Sequence, residues 1–455
     1  MPRPARVAGV LIAVFSLFFL GCQKRATPPA TTATTATPAV PANALAAVNG
    51  QVVTGEEFSS VKTSILNYYR QIYTQFGLDI QQFLTGARGR MFLLDMEVAA
   101  LETLVSQALV KVEAARRGVT PSEEEVAAEF GKQYAQFLQA QGLNEETLSV
   151  LLQLRGSNLS DFKASARKQV ADGLLYQKVA QAVAAPLTST EADLLKFFEE
   201  NMAKYATEEQ VEASHILVQT GDEANKILEQ LKAGAQFGEL ARLYSQDPGS
   251  AAAGGALGWF GRGMMVPEFE EAAFALKVGQ VSDVVKTQFG YHIILVTGRR
   301  EARQPPYAEV AEQVKADYEQ KVRGERFEAW LRQAKDTAQV KVYDPLLEAA
   351  YTKERNLDRA LALFEEIRKA GKTEEKYLAF IVGTVYEQKL EEARKEREEL
   401  QKEPESPARA ARLAELDKTI ANARTQAIAA YREALASAPD DQGIKLRLEN
   451  LESSP

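Results

Sequence analysis

Val211-Glu212-Ala213-Ser214-His215-Ile216-Leu217-Val218 is the stretch on which the fold of this chain turns. It drops the helical spacing of everything before it and reads as a strand. Immediately upstream, Thr188-Ser189-Thr190-Glu191 is a helix-start signal, and its helix runs through Phe197-Phe198 towards Tyr205. Further back, Ser160–Val183 is amphipathic and stops before Pro186, and Thr120-Pro121-Ser122-Glu123 reads as a helix start capped by Thr120. In Met91–Arg117, the residues Leu94, Val98, Leu101, Leu104, Leu109 and Val112 recur at helical spacing. Order begins near Leu45. There Ala47–Val53 reads as a short strand pair around Asn49-Gly50, and a helix opens after Thr54. Downstream of the deciding strand, Tyr307–Ala338 is predicted as one long helix and Val340-Lys341-Val342-Tyr343 as a closing strand.

The chain has two histidines, His215 and His292. Five motifs are strung around them in order. They are Ala213-Ser214-His215-Ile216-Leu217, then Ser245-Gln246-Asp247-Pro248, then Gly254-Gly255-Ala256-Leu257-Gly258-Trp259-Phe260. Met265-Val266-Pro267-Glu268-Phe269 with Phe274-Ala275-Leu276 follows, and Thr287-Gln288-Phe289-Gly290-Tyr291-His292-Ile293-Ile294 closes the series. Over Glu212–Arg300 this ordered set resembles the parvulin family of peptidyl-prolyl cis/trans isomerases. Each motif is weak alone; the order, with both histidines at the family's two positions, is specific. The resemblance implies an α+β domain over 207–300, a four-stranded antiparallel sheet with flanking helices. Ala256 departs from the family, which has Asp at that place in the glycine loop; weaker loop order with an intact mechanism is the expectation.

Isomerising a prolyl bond means breaking amide resonance, a barrier of about 18–20 kcal/mol. No covalent bond need form; the protein has to hold the proline ring and bind the twisted amide better than the planar one. By the resemblance, Leu257, Met265 and Phe269 form the apolar cup, and the catalytic group is His215, Asp247, Thr287 and His292. The two histidines are expected on adjacent strands, bonded to each other and to Thr287, which fixes their tautomers and the polarity around Asp247. Asp247 would sit beside the substrate carbonyl. Blander readings stand beside these: His215 as a satisfied core histidine, Met264-Met265 and Phe269 as plain core, Trp259 as packing. Some parvulins take phosphorylated substrates through a basic loop after the first strand. Here that loop is Gln219-Thr220-Gly221-Asp222-Glu223, acidic and without Lys or Arg, so unmodified X-Pro segments are expected.

The two ends carry different signals. Arg3 and Arg6 precede an apolar run, Val7–Leu20, which is short for a membrane span and reads as a signal peptide. Phe19-Leu20-Gly21-Cys22 resembles a bacterial lipobox, and Cys22, the one cysteine in the chain, is the expected lipidation site. Residues 1–22 are thus leader and lipobox, and 23–44, rich in Thr, Ala and Pro, a flexible tether. At the other end, Tyr351, Ala360 and Phe364 hold the marker spacing of a tetratricopeptide repeat, and Tyr386 falls about one period after Tyr351. Gly383, Ala427, Tyr431, Ala434 and Pro439 fit a second unit, with an insertion of charged helix on both sides of Pro404-Glu405-Ser406-Pro407. That insertion reads as two helices extended into an antiparallel hairpin.

With 455 residues, roughly two to four domains are expected. A net charge of −8 argues against nucleic acid as a partner. No zinc-like Cys/His spacing or phosphate-cradling loop is present in the sequence, so neither metal nor cofactor is expected. The order of segments resembles extracytoplasmic chaperone-isomerases of the PrsA and SurA type. It implies a helical chaperone domain over 45–185, a connecting helix over 186–206, the inserted parvulin domain, and a helix and strand over 301–345 packing back on the chaperone domain. A TPR-like all-α region over 346–455, with a possible protein partner, completes the multidomain chain. The implied function is that of a lipid-anchored foldase acting outside the cytoplasm, on a bacterial membrane, on unfolded or partly folded exported proteins. The alternative is a non-enzymatic holding chaperone or assembly scaffold in which the parvulin domain only binds peptides.

Overall fold

The computed structural model describes residues 41–371 and 375–453. The leader, Cys22 and most of the tether therefore lie outside the described residues. Two compact units emerge: one takes the chain up to Ala185 and again from Gly324, the other is Pro186–Arg323.

The first unit opens with β1 (Ala44–Val48) and β2 (Gln51–Thr54), paired antiparallel. Asn49 and Gly50 turn the corner with φ of 48° and 85°, the left-handed pair that a two-residue hairpin needs. Thr54 then caps α1 (Gly55–Gln75): its hydroxyl accepts the Glu57 amide at 3.2 Å while the Glu57 carboxylate accepts the Thr54 amide at 3.0 Å. There follow α2 (Gly86–Arg117), α3 (Glu123–Ala140), α4 (Glu145–Leu154) and α5 (Leu159–Ala184). The cap of α3 is Ser122 and not Thr120. Ser122 forms a reciprocal box with Glu125, whose carboxylate accepts the Ser122 amide at 2.6 Å, and this pulls the helix start past Pro121. Met96, Leu101, Leu104, Val105 and Leu109 of α2 build the core with Val48, Val53, Phe58 and Val179.

The second unit starts with α6 (Glu191–Glu200), capped by Thr190, and α7 (Met202–Tyr205). Then come β3 (Gln210–Val218), α8 (Gly221–Lys232), α9 (Phe237–Tyr244), β4 (Ala256–Gly261), α10 (Pro267–Ala275), β5 (Val285–Thr287) and β6 (Gly290–Arg300). The sheet is fully antiparallel in the order β4-β3-β6-β5. Alternation along β3 places Val211, Ala213 and His215 towards α10, with Phe260, Phe269 and Phe274. Ile216 and Val218 face the other way, onto Ile227, Leu228, Phe237 and Leu240 of α8 and α9.

The long helix α11 (Tyr307–Thr337) begins in the second unit and ends in the first. Its apolar side is divided. Tyr307, Val310, Val314 and Tyr318 pack on Leu194, Phe197 and Phe198 of α6, while Phe327 and Leu331 join the core around α2. The expected packing of the whole segment on the N-terminal helices thus holds for its second half alone, because the aromatic face of α6 takes the first.

After α11, β7 (Val340–Val342) pairs with β1 and completes a three-stranded sheet. Among the described residues five helices follow: α12 (Pro345–Lys353), α13 (Leu357–Ala370), α14 (Leu378–Gln401), α15 (Pro407–Ser437) and α16 (Gln442–Ser453). α14 and α15 form the long hairpin, with Ser406 capping α15 and Pro407 at its first position. Gly383 is needed where it stands: a Cβ there would lie 2.5 Å from the ring of Tyr431. These helices share their core with α2. Leu94 packs among Ala360, Phe364, Ile381 and Val382, and Ala87 among Phe380, Tyr431 and Ile444. Among the described residues no helix is long and apolar enough to cross a membrane.

Candidate active site

The site lies where β3 and β6 run side by side in the second unit. Strand alternation turns His215 and His292 towards α10, where both are buried. Their rings stack at 5.3 Å, and Phe269 stands edge-on to both, with centroids 5.7 Å from His215 and 5.3 Å from His292. Aromatic packing thus locks the two imidazoles before any hydrogen bond is considered.

A chain of bonds runs through them. Asp247 Oδ2 lies 2.8 Å from His215 Nε2, and His215 Nδ1 meets His292 Nδ1 at 3.2 Å. His292 Nε2 lies 2.8 Å from Thr287 Oγ1, which also accepts the Phe289 amide at 3.1 Å. A carboxylate can only accept, so His215 donates from Nε2 and presents its lone pair at Nδ1. His292 then donates from Nδ1, and its Nε2 accepts the Thr287 hydroxyl. Each donor along the chain is aimed towards Asp247. Placing a charge on His215 instead reverses the two bonds beyond it and leaves the buried Thr287 hydroxyl hydrogen without an acceptor.

Burial, followed by the neighbouring His215, pushes His292 down to about 4. The Ser250 hydroxyl and His215 hold Asp247 down at about 2, so it is ionised at neutral pH. Ser250 is buried and donates to Asp247 Oδ2 at 2.5 Å, while its oxygen lies 3.1 Å from His215 Nε2.

Leu257 and Met265 are partly buried and pack against the cluster that contains Phe269. All seven residues singled out in this domain therefore come together on one side of the sheet. The glycine loop is held by backbone bonds: His215 donates its amide to Gly255 at 2.8 Å, and Gly255 donates to Ser250 at 2.9 Å. A Cβ at Gly255 would lie 2.2 Å from the His215 carbonyl, so only glycine fits. Neither bond needs a side chain at position 256. Trp259 is packing, covered by the Arg300 guanidinium 4.0 Å from its ring. Three participants were not visible in the sequence: Ser250 and the amides of Gly249 and Phe289. A serine three residues after the acid was the only available signal, and a backbone donor gives none. Among the described residues no cluster of His, Cys, Asp and Glu is placed to hold a metal ion.

Residues 193–300 match the family description PPIC-type PPIase domain, and residues 5–178 match SurA-like N-terminal domain. The second unit therefore carries a peptidyl-prolyl cis/trans isomerase domain of the parvulin class. Foldase protein PrsA of Caldanaerobacter subterraneus subsp. tengcongensis is 33% identical over 262 residues, spanning 56% of this chain and 73% of that protein. Foldase protein PrsA of Clostridium botulinum is 27% identical over 336 residues, 73% of this chain and 95% of that protein. NmPin, the parvulin of Nitrosopumilus maritimus, is 51% identical and covers 20% of this chain and 99% of its own, with a TM-score of 0.19. The chain belongs to the PrsA foldase family.

Proposed function

We propose that this protein is a lipid-anchored foldase outside the cytoplasm that isomerises unmodified X-Pro bonds in partly folded exported proteins. The observation that carries the reading is the ionised Asp247, bonded to His215 of the stacked histidine pair, on the same side of the sheet as Leu257, Met265 and Phe269. The apolar group takes the proline ring and strips water from the amide. Planar amide resonance puts negative charge on the carbonyl oxygen, and a fixed carboxylate beside that oxygen raises the energy of this form. The twisted, less dipolar amide is then the better-bound state. The histidines move no proton in this scheme; together with Thr287 they hold Asp247 and set its field.

The loop after β3 supports the choice of unmodified substrates. Asp222 and Glu223 lie in the first turn of α8, and Glu223 is tied to Thr220 in a capping box. A phosphate there would meet two carboxylates. Holding of unfolded chains is assigned to the first unit, and anchoring to a lipid on Cys22; Cys22→Ala should release the protein from membranes.

The test is the refolding of an exported client whose slow phase is a prolyl isomerisation, with aggregation followed by light scattering. The full chain should speed the slow phase, Asp247→Asn should not, and both should suppress aggregation. Loss of aggregation suppression in a folded Asp247→Asn protein would contradict the division of roles.

A further inference from the structure

Asp247 is the one member of the hydrogen-bonded chain that sits on a loop. His215, Thr287 and His292 are fixed by strands, and the histidines additionally by Phe269. The Asp247 side chain keeps 26% of its surface exposed, so water reaches part of the carboxylate. Something has to hold it. The Gly249 amide donates to Oδ1 at 3.1 Å, while Oδ2 faces both His215 Nε2 and the Ser250 hydroxyl.

We infer that Ser250 is a positioning residue of the isomerase, whose hydroxyl clamps the Asp247 carboxylate in the one orientation that meets His215. The clamp is built and not incidental. Ser250 is 2% exposed, and its carbonyl accepts the amides of Ala253 and Gly255, both at 2.9 Å. Backbone bonds therefore aim the hydroxyl, and the hydroxyl in turn aims the acid. Removing that oxygen leaves the backbone bonds in place but frees the carboxylate to turn towards water. The titratable groups facing Asp247 are His215 from β3 and, behind it, His292 from β6. Arg242 of α9, the helix packed beside this loop, lies next to Gly254.

This inference rests on the reading of Asp247 given above, and the experiment separates the two. In the full chain, kcat and KM on an X-Pro peptide are measured for Ser250→Ala, Ser250→Cys, Asp247→Asn and the double variant Asp247→Asn with Ser250→Ala. The Asp247 carboxyl carbon is titrated by NMR where the acid is present. Ser250→Ala should lower kcat about tenfold with KM little changed, and the carboxyl should titrate about one pH unit higher, as expected for losing one hydrogen bond to a charged group. Ser250→Cys, keeping a weak donor, should fall between, and the double variant should be no slower than Asp247→Asn alone. Wild-type kcat and wild-type titration in Ser250→Ala would overturn the inference, leaving Ser250 as a space-filler. Should the alanine variant not fold, wild-type kcat together with wild-type titration of the carboxyl in Ser250→Cys would overturn it equally. Wild-type turnover in Asp247→Asn would instead sink the reading of the acid itself, and the inference with it.

Discussion

His215 and His292 face each other Nδ1 to Nδ1 at 3.2 Å, so a single proton lies between the two rings. Bonds at the outer nitrogens decide which ring owns it: Asp247 demands a donor from His215, and the Thr287 hydroxyl supplies one to His292. Nitrogen-15 spectra of the imidazoles at pH 7 should therefore show His215 protonated at Nε2 and His292 at Nδ1. A His292 carrying its proton at Nε2 would mean that the chain runs the other way.

Acid should weaken the isomerase domain in two steps. Below 6.5 the unfolded chain binds a proton at His292 that the folded site refuses until about 4, so stability falls as pH drops through that window. The slope is at most about 1.4 kcal/mol per pH unit for one proton. Asp247 acts in a lower window. Its folded value of about 2 lies under the ordinary 3.8, so stability held above 3.8 is lost as pH falls towards 2. Urea unfolding followed by Trp259 fluorescence in a Trp330→Phe background should show the first slope, and His292→Gln should flatten it. A His292→Gln protein with the wild-type slope would remove His292 as the cause.

Phe269, proposed for the cup, belongs to the core as well. It is 3% exposed and touches both histidine rings and Phe260. Phe269→Ala should cost about 3–5 kcal/mol in unfolding experiments, and turnover should fall even under conditions where the domain stays folded. Phe269→Leu, which keeps apolar volume, should lose less of both. Stability lost without any change in turnover of the folded fraction would place Phe269 in the core alone.

Asp441 ties the C-terminal helices to the N-terminal ones. Its Oδ2 accepts the Ala87 amide in the first turn of α2 at 2.7 Å, and its Oδ1 accepts the Gly443 amide at the start of α16 at 2.9 Å. One carboxylate caps two helices. Asp441→Ala should destabilise the first unit by about 1–2 kcal/mol, the scale of a lost cap. Hydrogen exchange should show faster opening at Ala87 and Gly443 together. If only Gly443 loses protection, the link between the two segments contributes nothing to α2.

Much of this was legible in the sequence, for identifiable reasons. The hairpin at Asn49-Gly50, the helix capped at Thr54 and the proline-marked turn between α14 and α15 are local signals, complete within a few residues. The grouping of His215, Asp247, Thr287 and His292 was legible because the motifs are ordered and because the chain has two histidines in all. What stayed hidden depends on distant contacts. Leu94 and Ala87 look like any apolar positions of α2, and nothing near them announces partners beyond residue 340. That helix is apolar on several faces at once, the mark of burial from more than one side. The division of α11 was hidden likewise, since its period is continuous across the point where its packing partner changes.

The central claim is that an ionised Asp247, bonded to the first of two stacked histidines, drives prolyl isomerisation. Exchange NMR on an unmodified X-Pro peptide tests it most directly, with catalytic amounts of the full chain and of its Asp247→Asn variant, both shown to be folded. Uncatalysed exchange takes tens to hundreds of seconds. The account predicts rapid exchange with the wild-type chain and near-uncatalysed exchange with Asp247→Asn. Equal acceleration by the two proteins would contradict it.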